Sequence, residues 1–185
     1  MQLGSILPLD HILIDAEGTR VTSKESAIRL LAELLAPSLA ADASEIERLL
    51  LEREQLQTTA IGEGVAIPHA AMDSVTTRSA ALLLCPHGIA FDSLDGGPAQ
   101  IIFGVVGPRQ ATADHLRVLA RISRLLRVKA IRDELLRAPD AQAALDLVLR
   151  EDGGFQGSGL QGGGVPGGGV PGGSAQGGQH AGQRS

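Results

Sequence analysis

Two stretches of this chain are apolar almost without interruption: "SAALLLCPHG" (79–88) and "QIIFGVVGP" (100–108). A strand with one wet face alternates apolar and polar residues, so unbroken runs bounded by Gly and Pro belong to strands covered on both faces. A sheet covered on both faces needs a layer of helices on each side. That requirement limits the chain to an α/β arrangement with a mostly buried sheet.

The rest of the sequence supplies those helices. "SKESAIRLLAELLA" (23–36) opens on Ser23 as a candidate N-cap, repeats Ala27, Leu30, Leu31 and Leu34 at helical spacing, and is expected to close at Pro37. "DASEIERLLLEREQL" (42–56) does the same, with Asp42 as cap and Ile46, Leu49 and Leu50 on one face. "DHLRVLARISRLLR" (114–127) is amphipathic, and its spacing predicts Leu116, Leu119, Ile122 and Leu126 on the apolar side. "VKAIRDELLRA" and "PDAQAALDLVLR", with Pro139 near a helix start, complete the helices. Short extended segments are expected at "HILIDA" (11–16) and within "TTAIGEGVAIPH" (58–69). Helices therefore cluster at both ends and strands in the middle.

Apolar residues make up 43% of the 185, with no Trp or Tyr and three Phe, so the core must be built from aliphatic side chains. From Gly153 onward the composition changes. The last 33 residues include 15 Gly, repeat "GGGVP" at 162–166 and 167–171, and hold no acid and one base, Arg184. Such a segment buries too little side chain to offset the entropy of ordering it, and 153–185 is expected to be a disordered tail. Deletion after Asp152 is expected to leave the melting temperature nearly unchanged.

Residues 1–152 then carry 21 acidic against 15 basic side chains, a net charge of −6. That balance, with so few aromatics, argues against nucleic acid as a partner. One cysteine, Cys85, excludes an internal disulfide and fits a reducing, cytoplasmic setting. The N-terminus lacks a basic n-region and meets Pro8, Asp10 and His11 too early for a signal sequence. No apolar run approaches the roughly 20 residues that a membrane span requires, so no membrane insertion is expected.

Three residues are candidates for chemistry. In "GEGVAIPHA" (62–70) Pro68 fixes its own φ and holds Ile67 extended, so His69 is presented rigidly at a strand end, where α/β sheets commonly place their sites. His115 falls near the start of the helix at 114–127, with Thr112 or Asp114 available as cap. A helix N-terminus offers free N–H groups and a positive dipole end, which suit an anionic phosphoryl group and favour a neutral imidazole. Arg53, in "LEREQ", carries the side chain best shaped for phosphate oxygens.

Read locally, each also fits a plainer role. His69 could be a strand-end imidazole bonded to backbone, His115 a surface residue in a first helical turn, and Arg53 a solvated charge on an acidic helix. His69, His87 and His115 could in principle converge on a metal, but no HExxH, CxxC or HxH spacing is present. There is no GxSxG elbow for a nucleophilic serine. There is no GxxxxGK[ST] loop either, which argues against ATP as a phosphate source.

The stretch "EQLQTTAIGEGVAIPHA" (54–70) resembles the phosphorylation-site signature of fructose/mannitol-type IIA domains of the phosphoenolpyruvate-dependent sugar phosphotransferase system. Glu54, Ile61, Gly62, Val65, Ala66, Ile67, Pro68 and His69 fill its constrained positions. "SKESAIRLLAELL" is similar to the family's first helix, and "DHLRVLARISRLLR" to the helix that bears a second active-site histidine. The resemblance spans residues 6–150 and implies a mannitol-type IIA fold, a mixed sheet flanked by helices on both faces.

It also implies that His69 is the phosphoacceptor, through Nε2, with His115 and Arg53 steadying the phosphoryl oxygens. The donor it implies is a phosphorylated HPr-type carrier. The acceptor would be a IIB domain or a regulatory target protein. No cofactor or metal is expected, and the chain would act as a phosphocarrier instead of a multiple-turnover enzyme. A stand-alone domain of this kind resembles the nitrogen-regulatory branch most, and the alternative is a sugar-uptake component. An intact signature argues against a degenerate domain that binds partners without phosphorylation.

Overall fold

The computed structural model describes residues 2–157. In chain order its elements are β1 (Ile12–Ile14), α1 (Lys24–Leu39), α2 (Ala43–Leu56), β2 (Ala60–Gly62), β3 (Val65–Ala66) and β4 (His69–Met72). Then follow β5 (Ser79–Ile89), β6 (Ala99–Pro108), α3 (Thr112–Arg127), α4 (Lys129–Leu135) and α5 (Ala141–Gly157). Short 3-10 turns lie at Leu3–Ser5, Leu9–His11 and Arg109–Ala111. The tail expected from Gly153 begins inside α5, which runs on to Gly157, and residues 158–185 fall outside the described residues.

The two apolar runs pair with each other. β5 and β6 are antiparallel, in register from Ser79 opposite Val106 to Leu84 opposite Ile101. β1 adds parallel to β5 on one side, and β3 and β4 add parallel to β6 on the other, with β2 antiparallel to β3 at the edge. The sheet is mixed, as the resemblance implies.

Alternation along β5 and β6 sends side chains to two separate cores. Ala81, Leu83, Ile102 and Val106 pack with α1 and α2, while Leu82, Leu84, Phe103 and Val105 pack with α3, α4 and α5. Both faces are apolar, which is why the runs show no polar beat. On the first face Gly104 lets α1 approach the sheet closely, since a Cβ there would lie 2.8 Å from Leu31 Cδ2. Among the described residues no helix is long and apolar enough to cross a membrane.

Local signals held at most helix ends. The Ser23 hydroxyl accepts from the Ser26 N–H, and Ser26 Oγ accepts from the Ser23 N–H, a reciprocal capping box. Asp42 accepts from the Ser44 N–H at 2.9 Å. Three expectations need correction. Pro37 does not close α1, which runs on to Leu39 before Ala40 turns left-handed at φ 49°. In the last turn a proline removes only one i→i−4 bond, so the helix tolerates it.

The buried stripe of α3 is His115, Val118, Ile122, Leu125 and Leu126, and Leu116 is 61% exposed. The helix is rotated relative to the expected apolar face, with His115 turned inward. Neither Thr112 nor Asp114 caps it. Ala111 is the N-cap residue, without a side-chain bond, while Thr112 Oγ1 donates to the Arg109 carbonyl and Asp114 pairs with Arg117.

Candidate functional site

The site begins at the end of α2. Glu54 is buried there, and its carboxylate accepts from the Thr59 N–H at 2.9 Å, from Thr59 Oγ1 at 2.5 Å and from Thr58 Oγ1 at 3.0 Å. These bonds tie the last turn of α2, which carries Arg53, to the start of β2. The chain then reverses through Gly62, Glu63 and Gly64, at φ 90°, 54° and 80°. Three consecutive left-handed residues explain why glycine flanks Glu63. Asp95 accepts from the Glu63 N–H at 2.7 Å and steadies the turn.

Beyond the hairpin the chain runs along β6 in two pieces. Pro68 has no N–H to give, so the ladder breaks between β3 and β4, although Val105 N–H still donates to the Pro68 carbonyl at 2.9 Å. β4 resumes with His69 opposite Val105. Paired residues of adjacent strands share a face, so His69 points to the side of the sheet covered by α3. His115 faces it from the first turn of α3, with ring centroids 5.7 Å apart and a tilt of 50°.

Two contacts set the protonation pattern of His69. Its Nδ1 lies 2.8 Å from the Ile67 carbonyl, which only accepts, so Nδ1 carries the hydrogen. Arg53 Nε donates to Nε2 at 3.2 Å, so Nε2 carries the lone pair. Arg53 is itself braced by a bond from Nη1 to the Gln57 carbonyl at 2.8 Å. Burial pulls the His69 pKa below the ordinary imidazole value, against the Ile67 bond, and the Arg53 charge adds to the lowering. His115 is pushed down to about 4, first by burial and then by His69 and Arg78. Both rings are neutral at pH 7.

The histidines open on a cleft of about 640 Å³ lined also by Arg53, Glu52, Leu56 and Arg109. A lone-pair nitrogen beside a guanidinium, with a second neutral imidazole across from it, is an arrangement for nucleophilic attack on a centre that bears anionic oxygens. His69, His115 and Arg53 thus come together, although they are separated in sequence by 16 and 46 positions. His87 is elsewhere, with Nε2 3.0 Å from the Val21 carbonyl, and burial pushes the Cys85 thiol up to about 12.

Two charged residues near the site were not singled out from sequence. Arg109 lines the cleft, held by Asp73 at 3.0 Å and by the Ala71 carbonyl at 3.2 Å. Its place just after a buried strand was the available signal. Arg78 is buried behind the first turn of α3 and donates from Nη2 to the Ala111 carbonyl at 3.2 Å. No local pattern marks it.

Comparison with known proteins gives a consistent answer. Residues 5–151 match the family described as phosphoenolpyruvate-dependent sugar phosphotransferase system, EIIA 2. The chain is 40% identical over 124 residues to a nitrogen regulatory protein of Bradyrhizobium diazoefficiens, covering 67% of this chain and 81% of that one. It is 36% identical over 152 residues to a PTS system fructose-specific EIIA component of Haloferax volcanii, covering 79% and 94%. The crystal structure of nitrogen regulatory protein IIA-Ntr from Neisseria meningitidis aligns with a TM-score of 0.74 at 32% identity, over 78% of this chain and 97% of that one. IIA mannitol from Escherichia coli shares the fold, with a TM-score of 0.64 at 22% identity over 76% and 97%. On the match over residues 5–151, the chain belongs to the EIIA 2 family of the phosphoenolpyruvate-dependent sugar phosphotransferase system.

Proposed function

We propose that the chain is a histidine phosphocarrier that accepts a phosphoryl group on His69 Nε2 and acts mainly as a phosphorylation-dependent regulator. The observation that carries the site assignment is the fixed lone pair. With Nδ1–H bonded to the Ile67 carbonyl and Arg53 against Nε2, the nitrogen facing the cleft is the nucleophilic one.

The donor is a phosphohistidine on an HPr-type protein. The Nε2 lone pair attacks phosphorus in line, the bond to the donor nitrogen breaks, and its electron pair returns to the donor ring. The His69 ring becomes cationic as the new bond forms, and the Nδ1–H bond to Ile67 strengthens with that charge. Arg53 moves its hydrogen bond from Nε2 to a phosphoryl oxygen, and His115 donates to another. Arg53 and His115 are the groups placed to steady the phosphoryl oxygens, and the reading invokes neither cofactor nor metal. Each protein molecule carries one group and passes it on, which suits a cytoplasmic relay.

Relatives named nitrogen regulatory protein at 40% and 33% identity support the regulatory reading. The relative named fructose-specific EIIA component, at 36%, keeps a second one: transfer to a separate IIB in sugar uptake. Incubating the phosphorylated protein with a fructose-type IIB separates them. Rapid transfer favours uptake, whereas partner binding in one phosphorylation state without transfer favours regulation.

The site is tested by incubation with phosphoenolpyruvate, enzyme I and HPr. One acid-labile, base-stable phosphoryl group per chain is expected, and His69→Ala should abolish it. Label that survives the substitution would refute the assignment. His115→Ala should keep the acceptor but slow transfer by about 100-fold, the usual effect of losing one oxyanion donor. An unchanged rate removes His115 from the mechanism.

A further inference from the structure

Arg78 stands just ahead of β5 and is only 9% exposed. Its bond to the Ala111 carbonyl joins the start of β5 to the start of α3, 33 residues apart. Ala111 lies four residues before His115, one helical turn, so the guanidinium is anchored behind that ring's side of the helix. Gly107, near the end of β6, makes the room. A Cβ there would lie 2.9 Å from Arg78 Nε and 3.1 Å from its Cγ, closer than packed carbons tolerate.

His115 has one buried nitrogen, and the Arg78 charge acts on the ring. Its Nδ1 is sealed from solvent and has no hydrogen-bond partner among the described residues. The ring also lines the cleft, which leaves Nε2 as the nitrogen available there. A neutral imidazole carries one N–H and one lone pair, and the two tautomers differ little in water. Near a buried cation they differ more. An N–H at Nδ1 turns the positive end of its dipole into the field of the guanidinium, whereas a lone pair at Nδ1 is stabilised by it. Burial, His69 and Arg78 also resist protonation of the ring, which keeps the choice between tautomers open at neutral pH.

We propose that Arg78 is a positioning residue that holds His115 as the Nε2–H tautomer, so that its single hydrogen is offered to the cleft. This inference rests on the reading of His115 as a donor to phosphoryl oxygens. The two histidines then have opposite tautomers. His69 presents a lone pair from Nε2 because Ile67 takes the hydrogen on Nδ1, and His115 presents a hydrogen from Nε2 because Arg78 favours the lone pair on Nδ1. The other charged or titratable groups near His115 are His69 on β4, Glu52 and Arg53 on α2, Arg109 before α3, and Asp114 beside it, paired with Arg117.

The test is long-range ¹H–¹⁵N spectroscopy of histidine-labelled, unphosphorylated full-length chain, titrated over pH. In the wild type His115 should appear as Nε2–H, and His69 as Nδ1–H. Arg78→Met should move His115 toward a tautomer mixture and raise its titration midpoint by roughly one unit. Arg78→Lys, which keeps the charge, should restore most of the wild-type pattern. Gly107→Ala should act like Arg78→Met by displacing the guanidinium. Phosphoryl transfer should fall about tenfold in Arg78→Met and recover in part in Arg78→Lys.

A folded Arg78→Met protein with wild-type tautomer and titration would overturn the proposal, even if transfer slowed. Should the variants fail to fold, a wild-type His115 found as Nδ1–H overturns it as well. The spectra need no phosphoryl donor, so a failure here is distinct from failure of the carrier reading, which wild-type labelling reports.

Discussion

His69 and His115 are both held neutral, but by different surroundings, and the difference has a consequence for stability. A histidine whose pKa is depressed in the folded state binds its proton more readily when unfolded. Between the ordinary value of 6.5 and the folded value of about 4, the unfolded chain therefore takes up more protons at His115. The stability tied to the neutral ring is complete above pH 6.5 and is lost as pH falls toward 4, on the order of 3 kcal/mol for a shift of this size. Urea unfolding of His115→Gln should show a shallower loss of stability across that window than the wild type. Parallel profiles would mean that His115 is not the residue that titrates there.

At the scale of elements, the junction between α2 and β2 decides whether Arg53 reaches His69. Glu54 satisfies the buried Thr59 N–H, so Glu54→Ala leaves that donor without a partner, at a cost of about 2 kcal/mol. Glu54→Gln keeps an acceptor and should cost less. Urea midpoints of the two variants check the order, and equal midpoints would show that the junction does not depend on the carboxylate. Much at this scale was legible from local chemistry. Ser23 and Asp42 cap because a hydroxyl or carboxylate can turn back onto its own first turn, whatever the rest of the fold does. The face of α3 was not legible. Leu116 and His115 are neighbours, and which one turns inward depends on what the sheet places opposite them.

Over the whole molecule, one buried carboxylate joins the two ends of the described chain. Asp152 on α5 accepts from the Leu3 N–H at 2.8 Å and from the Arg121 side chain on α3, and Arg121 Nη2 also donates to its carbonyl at 3.1 Å. Asp152→Ala removes the acceptor of a buried N–H and the carboxylate, though not the carbonyl, that Arg121 donates to, and should cost about 2 kcal/mol. Because the cleft lies away from these contacts, phosphorylation of the folded fraction should be unchanged. A variant with wild-type stability would show that the N-terminal turn is held by its apolar packing alone.

The sequence by itself determined the layers, most helix ends and the identity of the three cleft residues. Periodicity, capping and the spacing from Glu54 to His69 act over a few residues of chain, or repeat a pattern that the family shares. Only the tertiary structure decided what those residues are chemically. The Ile67 carbonyl, two residues back, leaves the lone pair on His69 Nε2, but the guanidinium beside it arrives from another element, and the depressed pKa of His115 depends on burial under a sheet and on Arg78. Those terms are set by distance through space and by loss of water. Neither distance nor dehydration is defined until β6, α2 and α3 have packed together.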